Sequence, residues 1–210
     1  MARFAASSKS AKPEGDKLAT RQRIVEATLA LIVRNGGCRG VNLRQIGSRA
    51  RCAHTNAYNY FASLEELFWA ALLRALELQF ADTEKALAAP ESAEAPLRTL
   101  LEGQVVYAEE NPALYRLFWL EPLSGQPPPE VLQRLDAMRS LWVRCLGGHL
   151  ATLGARVDPA WAAQIVHGYF HGEVCKLVGR SAFVPSSPDN RQRIVANTLA
   201  LAALLAPGRP

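Results

Sequence analysis

Residues 54–61 read HTNAYNYF: three aromatic rings within four positions, beside two asparagines, a histidine and a threonine. A buried helix rarely carries so many hydrogen-bonding groups in one turn, and an open loop rarely carries so many rings. These residue types suit the groove of a nucleic acid. Asparagine can pair with both edge atoms of adenine, threonine offers a hydroxyl or a methyl to base edges, and tyrosine and arginine bind phosphate. His54, Thr55, Asn56, Tyr58 and Asn59 are therefore expected on one polar face, with Tyr60 and Phe61 where the segment meets the rest of its domain. Arg44 adds a phosphate-binding cation, and Asn42, at a helix start, adds backbone N–H groups that attract an anion. A second set could hold a metal. Cys145 and His149 are four apart, and His167, His171 and Cys175 follow at successive fours, so each group lies on one helical face. The same positions read equally as buried thiols and structural imidazoles.

The elements that must position these residues are helical. Ile24, Ala27, Thr28, Leu31 and Ile32 recur at helical spacing, Thr20 can cap that helix, and Gly36-Gly37 ends it. Asn42 starts a second helix with Gln45 as its capping-box partner. Gly47 sits where that helix must approach the next, and Ile46, Ala50, Cys52 and Ala57 pack the angle between them. Ser63 caps a further helix, with Glu66 three residues on. Beyond it the spacing predicts helices over 64–88, 92–110, 112–121, 128–153, 158–180 and 189–206. Pro90, Pro96, Pro112, Pro122, Pro127 to Pro129, Pro159, Pro185 and Pro188 fall at or near the breaks. No strand alternation and no internal repeat stands out. The expectation is an all-α fold of about nine helices, with a tail over 1–16, a helix-turn-helix unit over 17–63 and a helical body over 64–210.

Charge divides the chain in the same place. Residues 1–61 carry 11 Lys/Arg against 3 Asp/Glu, while residues 62–210 carry 13 against 16. A basic front on a mildly acidic body points to a polyanionic partner. No apolar run reaches the roughly 18–20 residues of a membrane span, and no secretory signal opens the chain, so a cytoplasmic protein is expected. Cys38, Cys52, Cys145 and Cys175 form no CxxC pair and are expected to be reduced. An enzyme is disfavoured: the chain has no Gly-rich phosphate loop, no GxSxG, no HExxH and no paired carboxylate motif, and no cofactor is implied. A helical module that binds nucleic acid without sequence preference remains a rival.

Residues 20–72 resemble the N-terminal domain of TetR-family transcriptional regulators. The matches are Ile24, Ala27, Leu31, Gly36, the Leu43-Arg44-x-Ile46 start, Ala50, Tyr58, the Tyr60-Phe61 ending and Leu67 after the Ser63 cap. Arg51 stands where the family usually has glycine in the turn, Ala53 where serine often caps the recognition helix, and His54 where lysine, proline or arginine is common. Trp161 followed by His167-Gly168 resembles the C-terminal subtype with a Trp-His-Gly signature. The resemblance implies a homodimer that binds a palindromic double-stranded DNA operator, represses, and is released by a small apolar or aromatic effector. It further implies coupling of effector to DNA through the long 64–88 helix, and dimerisation through 158–180 and 189–206. Tyr107, Tyr115, Phe118, Trp119, Trp142, Cys145, His167, Phe170 and His171 are the candidates to line the effector pocket, though each alone reads as well as plain core. Gly168 and Gly172, four apart, would let another helix come close. A metal- or redox-responsive regulator using Cys145, His149, His167, His171 and Cys175 is the alternative.

Overall fold

Prolines and short polar caps fix where the helices begin in the computed structural model, which describes residues 14–89, 95–179 and 189–206. The order is α1 (Glu14–Asn35), α2 (Leu43–Ala50), a 3₁₀ helix (His54–Asn59), α3 (Leu64–Leu87), α4 (Pro96–Glu110), α5 (Pro112–Trp119), α6 (Pro129–Thr152), α7 (Pro159–Val178) and α8 (Asn190–Leu204), with no strand among the described residues. Pro96, Pro112, Pro129 and Pro159 occupy the first helical turn, where a missing N–H costs nothing. The Asn42 side chain accepts from the Gln45 N–H at 3.0 Å, and the Gln45 amide oxygen accepts from the Asn42 N–H at 3.3 Å. Ser63 Oγ accepts from the Glu66 N–H at 3.1 Å. Gly36, at φ +75°, takes the left-handed turn that stops α1.

Two expectations are corrected and a third is refined. Helix α1 begins at Glu14, so residues 14–16 are helical and not tail; the rest of the expected tail lies outside the described residues. Thr20 lies inside that helix, buried, with Oγ1 donating to the Asp16 carbonyl at 2.8 Å, so it bonds back along the helix and does not cap it. The HTNAYN segment, expected as a short helix, is one of 3₁₀ type. Its start, Ala53, offers no side-chain acceptor, and six residues between two turns leave little length for the α pattern to propagate. The expected start of the 92–110 helix and the positions Pro90, Pro185 and Pro188 lie outside the described residues.

The buried residues form two clusters. One joins α1, α2, the 3₁₀ helix and the first half of α3 around Ile24, Ile32, Ile46, Phe61, Leu67 and Leu76. The other joins the end of α3 with α4, α6, α7 and α8 around Leu101, Trp142, Leu146, Val166, Phe170 and Ile194. Three helices belong to both, α6 by giving Val131 to the first and Leu141, Trp142 and Leu146 to the second. Helix α3 gives Leu67 to Leu76 to the first cluster and Phe80 to the second. Helix α5 gives Leu114 and Leu117 to the first and Tyr115 to the second. No helix among the described residues is long and apolar enough to cross a membrane.

Candidate nucleic-acid interface and ligand cavity

Gly47 determines how the N-terminal unit closes. A Cβ built there would lie 2.8 Å from His54 Cα and 2.9 Å from the Cys52 carbonyl oxygen. Only a glycine lets α2 meet the following segment this closely. Arg51, which caps α2, has φ 54° and ψ 45°. The turn therefore keeps its left-handed geometry with an arginine where glycine would be unstrained, a conformation costing a non-glycine residue about 1 kcal/mol or more. Arg51→Gly is accordingly expected to raise unfolding stability by about 1 kcal/mol, read by urea denaturation. The same change removes one exposed cation beside the 3₁₀ helix, so the slope of any DNA affinity against salt should fall by about one charge.

The turn leaves the sequence-predicted polar face free. His54, Thr55, Tyr58 and Asn59 are exposed, Tyr58 at 59%, while Ala57 is buried beneath them. Asn59 Nδ2 donates to Asn56 Oδ1 at 2.8 Å, which pre-orients both amides. Asn42 and Arg44 are exposed at the start of α2. Tyr60 differs from the rest: it is half-buried and packs against the N-terminal core. Phe61 is buried, with the Arg21 guanidinium 4.9 Å from its ring centre. Sequence reasoning left out Arg23 and Arg51, which line one shallow groove together with Thr55, Asn56 and Asn59. Arg23 sits at a helical position with nothing to mark its direction, and only the fold brings it beside Asn59.

A cavity of about 460 Å³ opens in the C-terminal body between α4, α5, α6 and α7. Phe118, Trp119, Trp142 and His167 line it, as the sequence led one to expect. Leu135, Met138 and Val143 complete the apolar wall, and Gln104, Arg139 and Gln164 supply polar groups. Gln104 was not foreseen, although a glutamine amid LLEGQVVYA on a buried face was a usable signal.

The other five candidates sit off that wall. Cys145 is core, Phe170 packs behind Trp142 with ring centres 5.3 Å apart, and Tyr107 is half-buried against the N-terminal cluster. Burial, then the charge of Asp82, pushes the Tyr107 phenol up to about 12. Tyr115 and His171 stand behind the wall as a brace. The Tyr115 hydroxyl hydrogen-bonds His171 Nδ1 at 2.7 Å, His171 Nε2 lies 3.3 Å from Cys175 Sγ, and the His171 ring rests 4.2 Å from that of Trp119. His167 and His171 are parallel, 5.9 Å apart. Burial, then the neighbouring His171, pushes His167 down to about 4. Both imidazoles are thus engaged with rings and a hydroxyl. Among the described residues no three His, Cys, Asp or Glu side chains converge as a metal site, so the metal reading of Cys145, His149, His167, His171 and Cys175 has no support. The i, i+4 spacing does bring His167, His171 and Cys175 together along α7, but Tyr115, Trp119 and Trp142 from α5 and α6 complete their surroundings.

Helix α5 ties this cavity to the N-terminal unit. Trp119 and Phe118 face the cavity, while Arg116 Nη2 on the same helix donates to the Gly36 carbonyl at 3.0 Å. Just beyond the helix, Glu121 Oε2 accepts from the Cys38 N–H at 2.8 Å, in the space a Cβ at Gly37 would fill. Burial, then that carboxylate, pushes the Cys38 thiol up, so it stays protonated.

No protein-family model and no curated protein sequence matches this chain. Solved structures do match. A Rhodococcus protein of unknown function superposes with a TM-score of 0.74 at 19% identity, over 96% of this chain and 100% of its own. The TetR-family regulator PfmR of Thermus thermophilus gives 0.60 at 22%, over 89% and 100%. The regulator FadR of Bacillus subtilis, solved with stearoyl-CoA, gives 0.66 at 16%, over 90% and 99%. None of these supports assignment to the Trp-His-Gly subtype; Trp161 is exposed at 52% and stands outside the cavity. The all-α fold of this chain is the fold of TetR-family transcriptional regulators.

Proposed function

We propose that this chain is a TetR-type transcriptional repressor that binds a palindromic operator as a homodimer and is released by a small apolar or aromatic effector. The observation that carries the reading is the polar 3₁₀ face His54–Asn59, held exposed on a basic support by the close approach at Gly47. Residues 17–63 form the DNA-binding unit and residues 64–210 the effector and dimerisation unit. Asn42, Arg44 and Tyr58 suit phosphates; Thr55, Asn56 and Asn59 suit base edges. The likeness to PfmR and FadR, and the open cavity beneath Trp119, support the same reading.

Gly168 and Gly172 support the dimer. A Cβ at either would meet nothing within 4 Å, so no neighbour among the described residues requires a glycine there. Ile165, exposed at 37%, lies one turn from Gly168 on the same helix, and α8 carries the 80%-exposed Leu204. Gly168→Leu is expected to leave the melting temperature of the isolated chain unchanged while turning dimer to monomer in analytical ultracentrifugation. A variant that dimerises normally would place the interface elsewhere.

The test of the function is selection of random duplex DNA by the purified protein. An enriched palindrome, lost with Tyr58→Ala and Asn59→Ala, is the expected result. Salt-sensitive binding with no enriched sequence would sink the repressor and leave a non-specific nucleic-acid binder.

A further inference from the structure

The polar groups around the cavity are few and their state is fixed by the fold. Gln79 and Gln104 are both buried, and Gln79 Nε2 donates to the Gln104 amide oxygen at 3.0 Å. That contact uses one lone pair of the Gln104 oxygen, turns that oxygen toward Gln79 and leaves the NH₂ group. No side-chain nitrogen or oxygen among the described residues is both sealed off and unpartnered, and Gln104 lines the cavity, so this NH₂ group opens onto it. Among the described residues no carboxylate lines the cavity. The one cationic side chain among them, Arg139, lies largely in solvent and is held by Asp136 at 2.7 Å. His167, between Trp119 and Trp142 at ring separations of 5.3 and 4.8 Å, is shielded from solvent and stays neutral at physiological pH. Among the described residues the inner walls therefore offer flat aromatic surfaces and the Gln104 amide donor, with the exposed Gln164 at the rim, and nothing that neutralises a buried charge. A charged ligand would lose its hydration without compensation.

Resting on the effector reading above, we infer that the cavity selects an uncharged aromatic molecule bearing one oxygen acceptor, a carbonyl or hydroxyl, that receives its hydrogen bond from Gln104. The rings stack against Trp119 and Trp142, and the oxygen lies toward α4.

Four probes of nearly one shape test this on the full chain without DNA, by titration calorimetry: 2-acetylnaphthalene, 2-ethylnaphthalene, 2-naphthoate and 2-naphthylmethylammonium. 2-Acetylnaphthalene should bind about tenfold more tightly than the ethyl compound, the worth of one hydrogen bond to a buried donor, and both ions more weakly than either. The variant Gln79→Leu/Gln104→Leu, which leaves no orphaned amide, should retain 2-ethylnaphthalene affinity and erase the ketone's advantage. Equal affinity for ketone and hydrocarbon, tightest binding by either ion, a ketone preference that survives the double variant, or binding of none of the four overturns the inference. Because the readout contains no DNA, that failure leaves the operator result untouched. Failure of operator selection likewise leaves the cavity result standing.

Discussion

Gly47→Val is expected to abolish the proposed operator selection and to weaken the fold in the same step. The side chain would enter a space bounded by backbone atoms of His54 and Cys52 at 2.8–2.9 Å, and backbone cannot swing aside as a flexible side chain can. Overpacking of a tight core typically costs 1–3 kcal/mol, and contact with backbone places this substitution at or above the upper end, about 3 kcal/mol. For a chain of this size that corresponds to a fall of roughly 6–12 °C in melting temperature. Relief requires α2 and the 3₁₀ helix to separate, which shifts every side chain from His54 to Asn59 relative to Arg44. Loss of sequence preference should therefore exceed what the stability loss explains. It is measured by comparing DNA selection well below the melting temperature with circular dichroism melts. A variant that melts normally and still enriches the parental sequence would contradict the close approach.

The second large effect concerns acid. His167 is neutral in the folded state, titrating at about 4 against an ordinary 6.5, because burial and His171 oppose its charge. Between those two values the unfolded chain binds a proton that the folded chain does not. Stability is then complete above about 6.5 and declines as pH falls toward 4, by roughly 3 kcal/mol from this group alone. His149 and His171, lowered by burial, act in the same direction. His167→Asn removes the titration and should flatten the acid limb of stability against pH, measured by urea denaturation from pH 7.5 to 4.5. An unchanged limb in that variant would assign the acid sensitivity to other groups.

Much of this was legible because its causes are local. The Asn42–Gln45 box, the Ser63 cap, the proline helix starts and the need for glycine at position 47 all act within a few residues. The exposed polar face of residues 54–59 followed from residue types alone. What stayed hidden depends on where distant elements meet. The i, i+4 run of His167, His171 and Cys175 was readable, yet whether those rings met a metal, a hydroxyl or one another depended on α5, more than fifty residues upstream. Tyr115 and His171 were recognised as important types, but their direction placed them behind Trp119 and off the cavity surface. Thr20 misled because a threonine at a helix start and one bonding back to residue 16 look alike in sequence. The contacts of Arg116 with Gly36 and Glu121 with Cys38 span 80 and 83 positions. Periodicity holds no trace of them.

Those two contacts have a thermodynamic consequence if Trp119 touches an effector and Gly36 moves with DNA. If effector binding weakens DNA binding through this helix, linkage requires DNA to weaken effector binding by the same free energy. Operator DNA would then be an antagonist of the effector site, weakening effector binding by the same factor as effector weakens operator binding. The apparent affinity for effector would depend on how much operator is present. A cell carrying many operator copies would need more effector to reach half-induction, and purified protein without DNA would always look more sensitive than the same protein on its target.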